Sequence, residues 1–176
     1  MQAEATAGLE VLPCGHGDTG GVHWPLELSS AFTADRHTER AMSQQNVEAF
    51  GRGVDAYNRR DAAALLAELD PDIEWHPALL VGLGGETTVY RGHRGVRDLL
   101  RDIDETLAEI HVEFPDVRDL GDRIVAEGRL RVRGKSSGVV TEADVGYVAD
   151  FRRGKATRIR TYLHPGEALK AVGLSE

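Results

Sequence analysis

The last third of the chain carries an ordered series of strand, turn, strand and helix signals, and it limits the fold more than any other segment. Residues 145–151 alternate apolar and polar side chains, and Gly154 follows in a tight turn. The alternation returns over residues 158–163, and Pro165 then begins a short helix. This order indicates two antiparallel strands capped by a terminal helix. It constrains the fold, but it carries no information about a substrate.

Helix signals precede these strands. Ser43 is a candidate cap for a helix with apolar side chains at helical spacing, Asp61 caps a second helix, and residues 96–107 carry the apolar stripe of a third. Residues 124–132 then form a further one-sided strand. Helices first and antiparallel strands second predict an α+β domain with its helices on one face of a curved sheet. Such a sheet closes into a cone with a mouth at one end.

Composition limits the classes of partner. The formal net charge of −8 argues against binding to nucleic acid or to an anionic membrane. No apolar run approaches the ~20 residues that a bilayer span needs. Cys14 is the single cysteine, so no internal disulfide is expected and a cytoplasmic location fits. The chain has no phosphate-binding loop or dinucleotide fingerprint, and its His, Cys and acidic residues lack metal-ligand spacing, so we expect no cofactor and no metal.

The first 41 residues differ from the rest. They are rich in glycine near the start and have no sustained apolar period, so we interpret residues 1–41 as a disordered tail and residues 42–176 as one domain.

Short motifs follow one another in an order that resembles a known family. They are NRRD at 58–61, DPDIEW at 70–75, YRGHRG at 90–95, DLGD at 119–122, FRRGK at 151–155 and EALKAVGL at 167–174. Together they resemble the SnoaL-like group of the nuclear transport factor 2-like superfamily. The resemblance implies a cone-shaped, cystatin-like sheet, mixed but mainly antiparallel, wrapped around N-terminal helices. It also implies a pocket between sheet and helices and, often, a homodimer.

The resemblance further implies positions for chemistry. Isomerase-like members keep a carboxylate base near the end of the first strand, and the matching position here is His76. A second family acid lies on the strand before the glycine turn, where this chain has Tyr147. A family tyrosine on the first helix is matched by Gly53. His76 as a general acid or base and Tyr147 as an oxyanion donor are therefore the candidate catalytic residues.

A pocket lined by the alternating strands has a second set of candidates. Tyr147 shares a face with Phe151, and Tyr90 precedes the third helix at the expected mouth. We expect ligand contacts from Phe50, Val54, Tyr90, Leu130, Phe151, Ile159, Thr161 and Leu163. Two functions stay open: a cofactor-independent cyclase, isomerase or hydrolase acting on a small hydrophobic molecule, or a non-catalytic ligand-binding or dimerisation domain.

Removal of residues 1–41 should leave a folded domain, because this segment has no sustained apolar face. The measurement is the thermal midpoint of the truncated protein against that of the full chain. A midpoint lowered by more than ~5 °C, or roughly 1–3 kcal/mol for this size, would show that the segment packs on the domain.

Overall fold

The computed structural model describes residues 27–79 and 88–174, with side chains from residue 40 onwards. Residues 1–26 of the predicted tail and the glycines at 82–85 lie outside this part of the chain. The described elements are α1 (Glu27–Asn58), α2 (Ala62–Ala67), β1 (Leu69–His76), β2 (Tyr90–Arg91), α3 (Gly92–Thr106), β3 (Leu107–Asp119), β4 (Arg123–Gly134), β5 (Val140–Arg152), β6 (Lys155–Tyr162) and α4 (Pro165–Ala171).

The six strands form one curled sheet in the order β2-β1-β6-β5-β4-β3. All neighbours are antiparallel except β1 and β6, which run parallel. The predicted α+β class and the mixed, mainly antiparallel sheet are confirmed. None of the described helices combines the length and apolarity needed to cross a bilayer.

The main core lies between the concave face of the sheet and the helices. The predicted alternation holds: the inward residues of β4, β5 and β6 pack with the apolar stripes of α1 and α3. The buried members named by the sequence pattern are Phe50, Leu99, Ile103, Ile124, Leu130, Phe151 and Ile159. Their burial on a shared face is what fixes the strand register, since a slip of one residue would turn every one of them outward.

A second, smaller core covers part of the outer face. Val125 and Val148 point away from the main core and are fully buried against Ala168 and Leu169 of α4. The helix lies close to the sheet because Gly146 has no side chain, and a Cβ there would be 2.6 Å from the Cβ of Ala168. The sheet is therefore covered on both sides at its centre.

Two boundaries differ from the sequence interpretation. Helix α1 begins at Glu27, so residues 27–41 are helical and the predicted irregular tail does not extend to residue 41. The domain boundary at residue 42 remains a prediction. Strand β1 includes residues 70–72, whose Asp-Pro-Asp sequence is typical of a turn. Here the Asp72 amide donates to Asp70 Oδ1 at 3.0 Å and the pairing with β6 is irregular. The turn signal is thus a local irregularity within a strand.

Charged side chains on the sheet pair across strands. Arg158 contacts Glu74 at 3.0 Å, and Arg118 contacts Glu127 at 3.2 Å. Further pairs join Arg129 with Asp144, Arg131 with Glu142, Arg133 with Glu109 and Arg160 with Asp150. Cross-strand charge pairing therefore accounts for the arginine side chains of these strands. Each exposed pair contributes only about 0–1 kcal/mol.

Gly128 permits the close approach of β3 to β4 at an irregular point of their pairing. A Cβ at this position would lie 2.0 Å from the carbonyl oxygen of Glu113 and 2.6 Å from the ring of Phe114. The carbonyl oxygen of Glu113 is a backbone atom, so it cannot move aside as the end of a flexible side chain can. Gly128 is therefore required for the position of Phe114.

The Gly128→Ala substitution should lower the free energy of unfolding by about 1–3 kcal/mol, the usual cost of overpacking. Gly51→Ala is the matched control, because Gly51 is exposed on α1 with nothing within 4 Å of a new Cβ. This control should stabilise the helix by up to ~1 kcal/mol. Urea denaturation measures the free energy of unfolding of both variants. Equal stabilities of the two variants would contradict the assignment of Gly128 as a required close approach.

Candidate functional site

A cavity of about 90 Å³ lies between the helices and the concave face of the sheet. The chain has two tryptophans, four tyrosines and four phenylalanines. Seven of these ten aromatic residues line the cavity, so its wall is far more aromatic than the chain as a whole. They are Phe50, Tyr57, Trp75, Phe114, Tyr147, Phe151 and Tyr162.

Three of the rings form a mutual contact in the wall. The ring centroids of Phe50, Phe114 and Tyr147 are 5.3–5.4 Å apart in each pair and tilted at 53–60°. Tyr57 and Trp75 form a further pair at 5.9 Å. Tilted pairs at these distances contribute about 0.5–1.5 kcal/mol beyond the burial of their area. The rings therefore hold one another in fixed positions around the cavity.

Tyr57 and Tyr147 bring phenol groups into this apolar region. Burial raises the pKa of each phenol well above the ordinary value of 10.0. Neither hydroxyl forms a hydrogen bond with another described residue. Both phenols therefore stay protonated at neutral pH. A ligand oxygen in the cavity could accept a hydrogen bond from such a phenol.

Thr161 also lines the cavity, but its hydroxyl is already engaged. The amide of Ala78 donates to Thr161 Oγ1 at 2.7 Å, and the same oxygen lies 3.4 Å from the carbonyl oxygen of His76. These contacts fasten the segment that follows β1. Leu163 lines the cavity from beyond β6 and is 36% exposed, which places it where the cavity meets solvent.

Glu68 is the one acidic side chain in the described wall. It accepts two hydrogen bonds from the Arg52 guanidinium, each at 2.9 Å, which is a bidentate ion pair. The hydrogen bond to Glu68 raises the pKa of Arg52. The side chain of Glu68 is 17% exposed, whereas that of Arg52 is 55% exposed.

His76 lies outside the cavity, so its predicted position in the pocket is wrong. In the pairing of β1 with β6, Trp75 is opposite Ile159 and His76 is opposite Arg160. Trp75 and Ile159 line the cavity, and His76 therefore points to the other face of the sheet. There its Nε2 lies 3.8 Å from a carboxylate oxygen of Glu74.

Tyr90 also lies outside the cavity wall, in contrast to the prediction that it contacts a ligand at the mouth. It is 9% exposed beneath α3, and its hydroxyl donates to Asp102 Oδ2 at 2.7 Å. Burial and this hydrogen bond raise the pKa of Tyr90 to about 12. The residue ties β2 to α3.

The other predicted contacts do line the cavity. These are Phe50, Val54, Leu130, Tyr147, Phe151, Ile159, Thr161 and Leu163. Among the described residues, no group of three or more His, Cys, Asp or Glu side chains is arranged to hold a metal ion.

A comparison of the chain with models of known protein families identifies the family. The family model described as a SnoaL-like domain matches residues 50–159, which is more than half of the chain. The protein belongs to the SnoaL-like domain family. None of the curated proteins matches this SnoaL-like domain at a significant level.

Solved structures share its fold. A nuclear transport factor 2-like protein from Burkholderia pseudomallei is 25% identical, with a TM-score of 0.62 over 73% of this chain and 98% of the other. TerC, co-crystallised with polyporic acid, is 27% identical, with a TM-score of 0.62 over 68% of this chain and 92% of TerC. A nuclear transport factor 2-like protein from Burkholderia xenovorans is 29% identical, with a TM-score of 0.56 over 73% of this chain and 95% of the other.

The wall residues of this SnoaL-like domain that were not identified as site residues from sequence include Tyr57, Trp75, Phe114, Tyr162 and Glu68. A signal existed for Tyr57, which continues the helical spacing of Phe50 and Val54. A signal existed for Phe114 as well, because it continues the alternation of Ile110 and Val112 along β3.

Alkaline pH should destabilise the SnoaL-like domain through Tyr57, Tyr90 and Tyr147. Their pKa values in the folded state lie above the ordinary value of 10.0, so the folded protein holds these protons more tightly than the unfolded chain. The contribution of these tyrosines to the free energy of unfolding should therefore be constant below pH 10 and fall as pH rises beyond it. Ultraviolet absorbance of tyrosinate measures the ionisation of the tyrosines, and urea denaturation measures the free energy of unfolding at each pH. Ionisation of all tyrosines near pH 10 with no loss of stability would contradict this assignment.

Proposed function

We propose that this SnoaL-like domain binds a small, flat aromatic molecule with a hydrogen-bond-accepting oxygen in the cavity. The observation that carries the proposal is the concentration of seven of the ten aromatic residues in one wall. Aromatic side chains offer large apolar contact area and favour tilted or offset packing against another ring. A ligand with aromatic rings would continue the arrangement that the wall residues already make.

The two phenols of the wall support an acceptor oxygen on that ligand. Tyr57 and Tyr147 are protonated donors inside an apolar cavity, and Thr161 already uses its hydroxyl to hold the chain. A carbonyl oxygen would accept from either phenol. The description of TerC as co-crystallised with polyporic acid adds support, since TerC is 27% identical and has the same fold.

Catalysis is the second candidate, as a cofactor-independent cyclase, isomerase or hydrolase. One observation favours it: two protonated phenols inside an apolar cavity would stabilise negative charge that develops on a substrate oxygen. Binding without chemistry ranks first, because His76, the candidate acid or base, lies on the other face of the sheet. A homodimer and a cytoplasmic location remain predictions from the sequence.

Acetophenone and alpha-methylstyrene test the proposal, because they have the same shape and differ in a carbonyl oxygen. The wild type should bind acetophenone more tightly. In the double variant Tyr57→Phe/Tyr147→Phe this preference should disappear, a loss of about 0.5–1.5 kcal/mol per hydrogen bond. Ligand-observed NMR measures affinity. Trp75 fluorescence confirms the location, since Trp75 lines the cavity.

Tyr90→Phe is the control for this experiment. It removes a phenol that lies outside the cavity and donates to Asp102, so it should change stability but leave the preference for acetophenone intact. If the wild type binds neither compound, the proposal is wrong. A preference that survives in the double variant would refute the role of the two phenols.

A further inference from the structure

Glu68 occupies an unusual place for a charged residue. It follows α2 at its C-terminal end, and its backbone is fixed on both sides: its amide donates to Leu65 O at 3.0 Å, and its carbonyl accepts from Ala156 N at 3.0 Å. The side chain then lies in an otherwise apolar wall, beside Leu65 and Leu69. The anchored backbone and the ion pair with Arg52 hold the Glu68 side chain in one position at the cavity wall.

Arg52 neutralises the charge of Glu68 but does not saturate the carboxylate. An ionised carboxylate has two oxygens with about four lone-pair sites, and a bidentate guanidinium occupies two of them. The ion pair therefore lowers the cost of a buried charge while it leaves acceptor capacity on both oxygens. No other described residue donates a hydrogen bond to this side chain.

Gly53 leaves space beside this carboxylate. It lies inside α1, where glycine costs about 1 kcal/mol relative to alanine, and it lines the cavity. A Cβ at Gly53 would meet only Glu68 Cβ, at 4.0 Å. No side chain of α1 at this position therefore stands between the cavity and Glu68.

We infer that Glu68 determines specificity by accepting a hydrogen bond from a hydroxyl group of the ligand. The inference rests on the proposed function and narrows the ligand class. The phenols of Tyr57 and Tyr147 require an acceptor oxygen, and Glu68 requires a donor. Hydroxylated aromatic ketones or quinones combine both groups on a flat ring, whereas a purely apolar molecule provides neither.

Two related ligands, para-hydroxyacetophenone and para-methoxyacetophenone, separate recognition by Glu68 from cavity binding as such. Both have the carbonyl oxygen and the ring, but only the first has a hydroxyl donor. Below the pKa of the ligand phenol, the wild type should prefer the hydroxyl compound at least ~10-fold, the effect of one hydrogen bond to a charged acceptor. In Glu68→Gln, which keeps the shape and removes the charge, the preference should be largely lost, because a neutral amide oxygen accepts a weaker hydrogen bond than a carboxylate.

Arg52→Gln is the matched control. It breaks the same link between α1 and α2 but leaves the carboxylate of Glu68 in the wall, so it should lower the thermal midpoint and retain the preference for the hydroxyl compound. If Glu68 served only to tie the helices, Glu68→Gln and Arg52→Gln would lower stability alike and leave the ratio of the two affinities unchanged. That result would overturn the inference.

The wild type alone provides a second test, which does not depend on the folding of any variant. Equal affinities for the hydroxyl and methoxy compounds would overturn the role of Glu68 while leaving the proposed function intact. Absence of binding by both compounds would instead refute the proposed function. A preference for the hydroxyl compound in the wild type that is lost in Glu68→Gln alone supports the inference.

Discussion

The packing of α1 and α3 against the concave face of the sheet is the contact on which the rest of the structure depends. It buries the one-sided apolar faces of three strands, and this fixes their register. A curled sheet and straight helices cannot match over their whole surfaces. The space that they leave unfilled is the cavity, and the side chains that border it are the ones that the fold could not pack fully.

Close backbone approach makes this arrangement possible at two positions. Gly146 lets α4 lie on the outer face of β5, and Gly128 lets β3 approach β4 where Phe114 turns into the cavity wall. Both glycines act by the absence of a side chain and lie within strands, where glycine is otherwise unfavourable. Gly146 permits the contact that forms the outer core, and Gly128 permits the contact beside Phe114 in the site.

The site combines fixed rings with incompletely satisfied polar groups. Mutual ring contacts hold Phe50, Phe114 and Tyr147 in place, so little side-chain order has to be gained when a ligand binds. The phenols of Tyr57 and Tyr147 border the same cavity and stay protonated at neutral pH, so each can donate a hydrogen bond. A cavity of this kind favours a ligand that carries its own acceptor.

The sequence alone determined the α+β class, the antiparallel alternation of β4 to β6 and part of the cavity wall, because apolar periodicity reports which side chains share a face. It did not determine which face of β1 is inward. Trp75 and His76 alternate, and the family comparison favoured His76, yet the parallel pairing with β6 places Trp75 beside Ile159 in the wall. Glu68 likewise entered the site through tertiary contacts, which include its ion pair with Arg52. These outcomes depend on contacts between segments distant in the chain, and local periodicity carries no information about them.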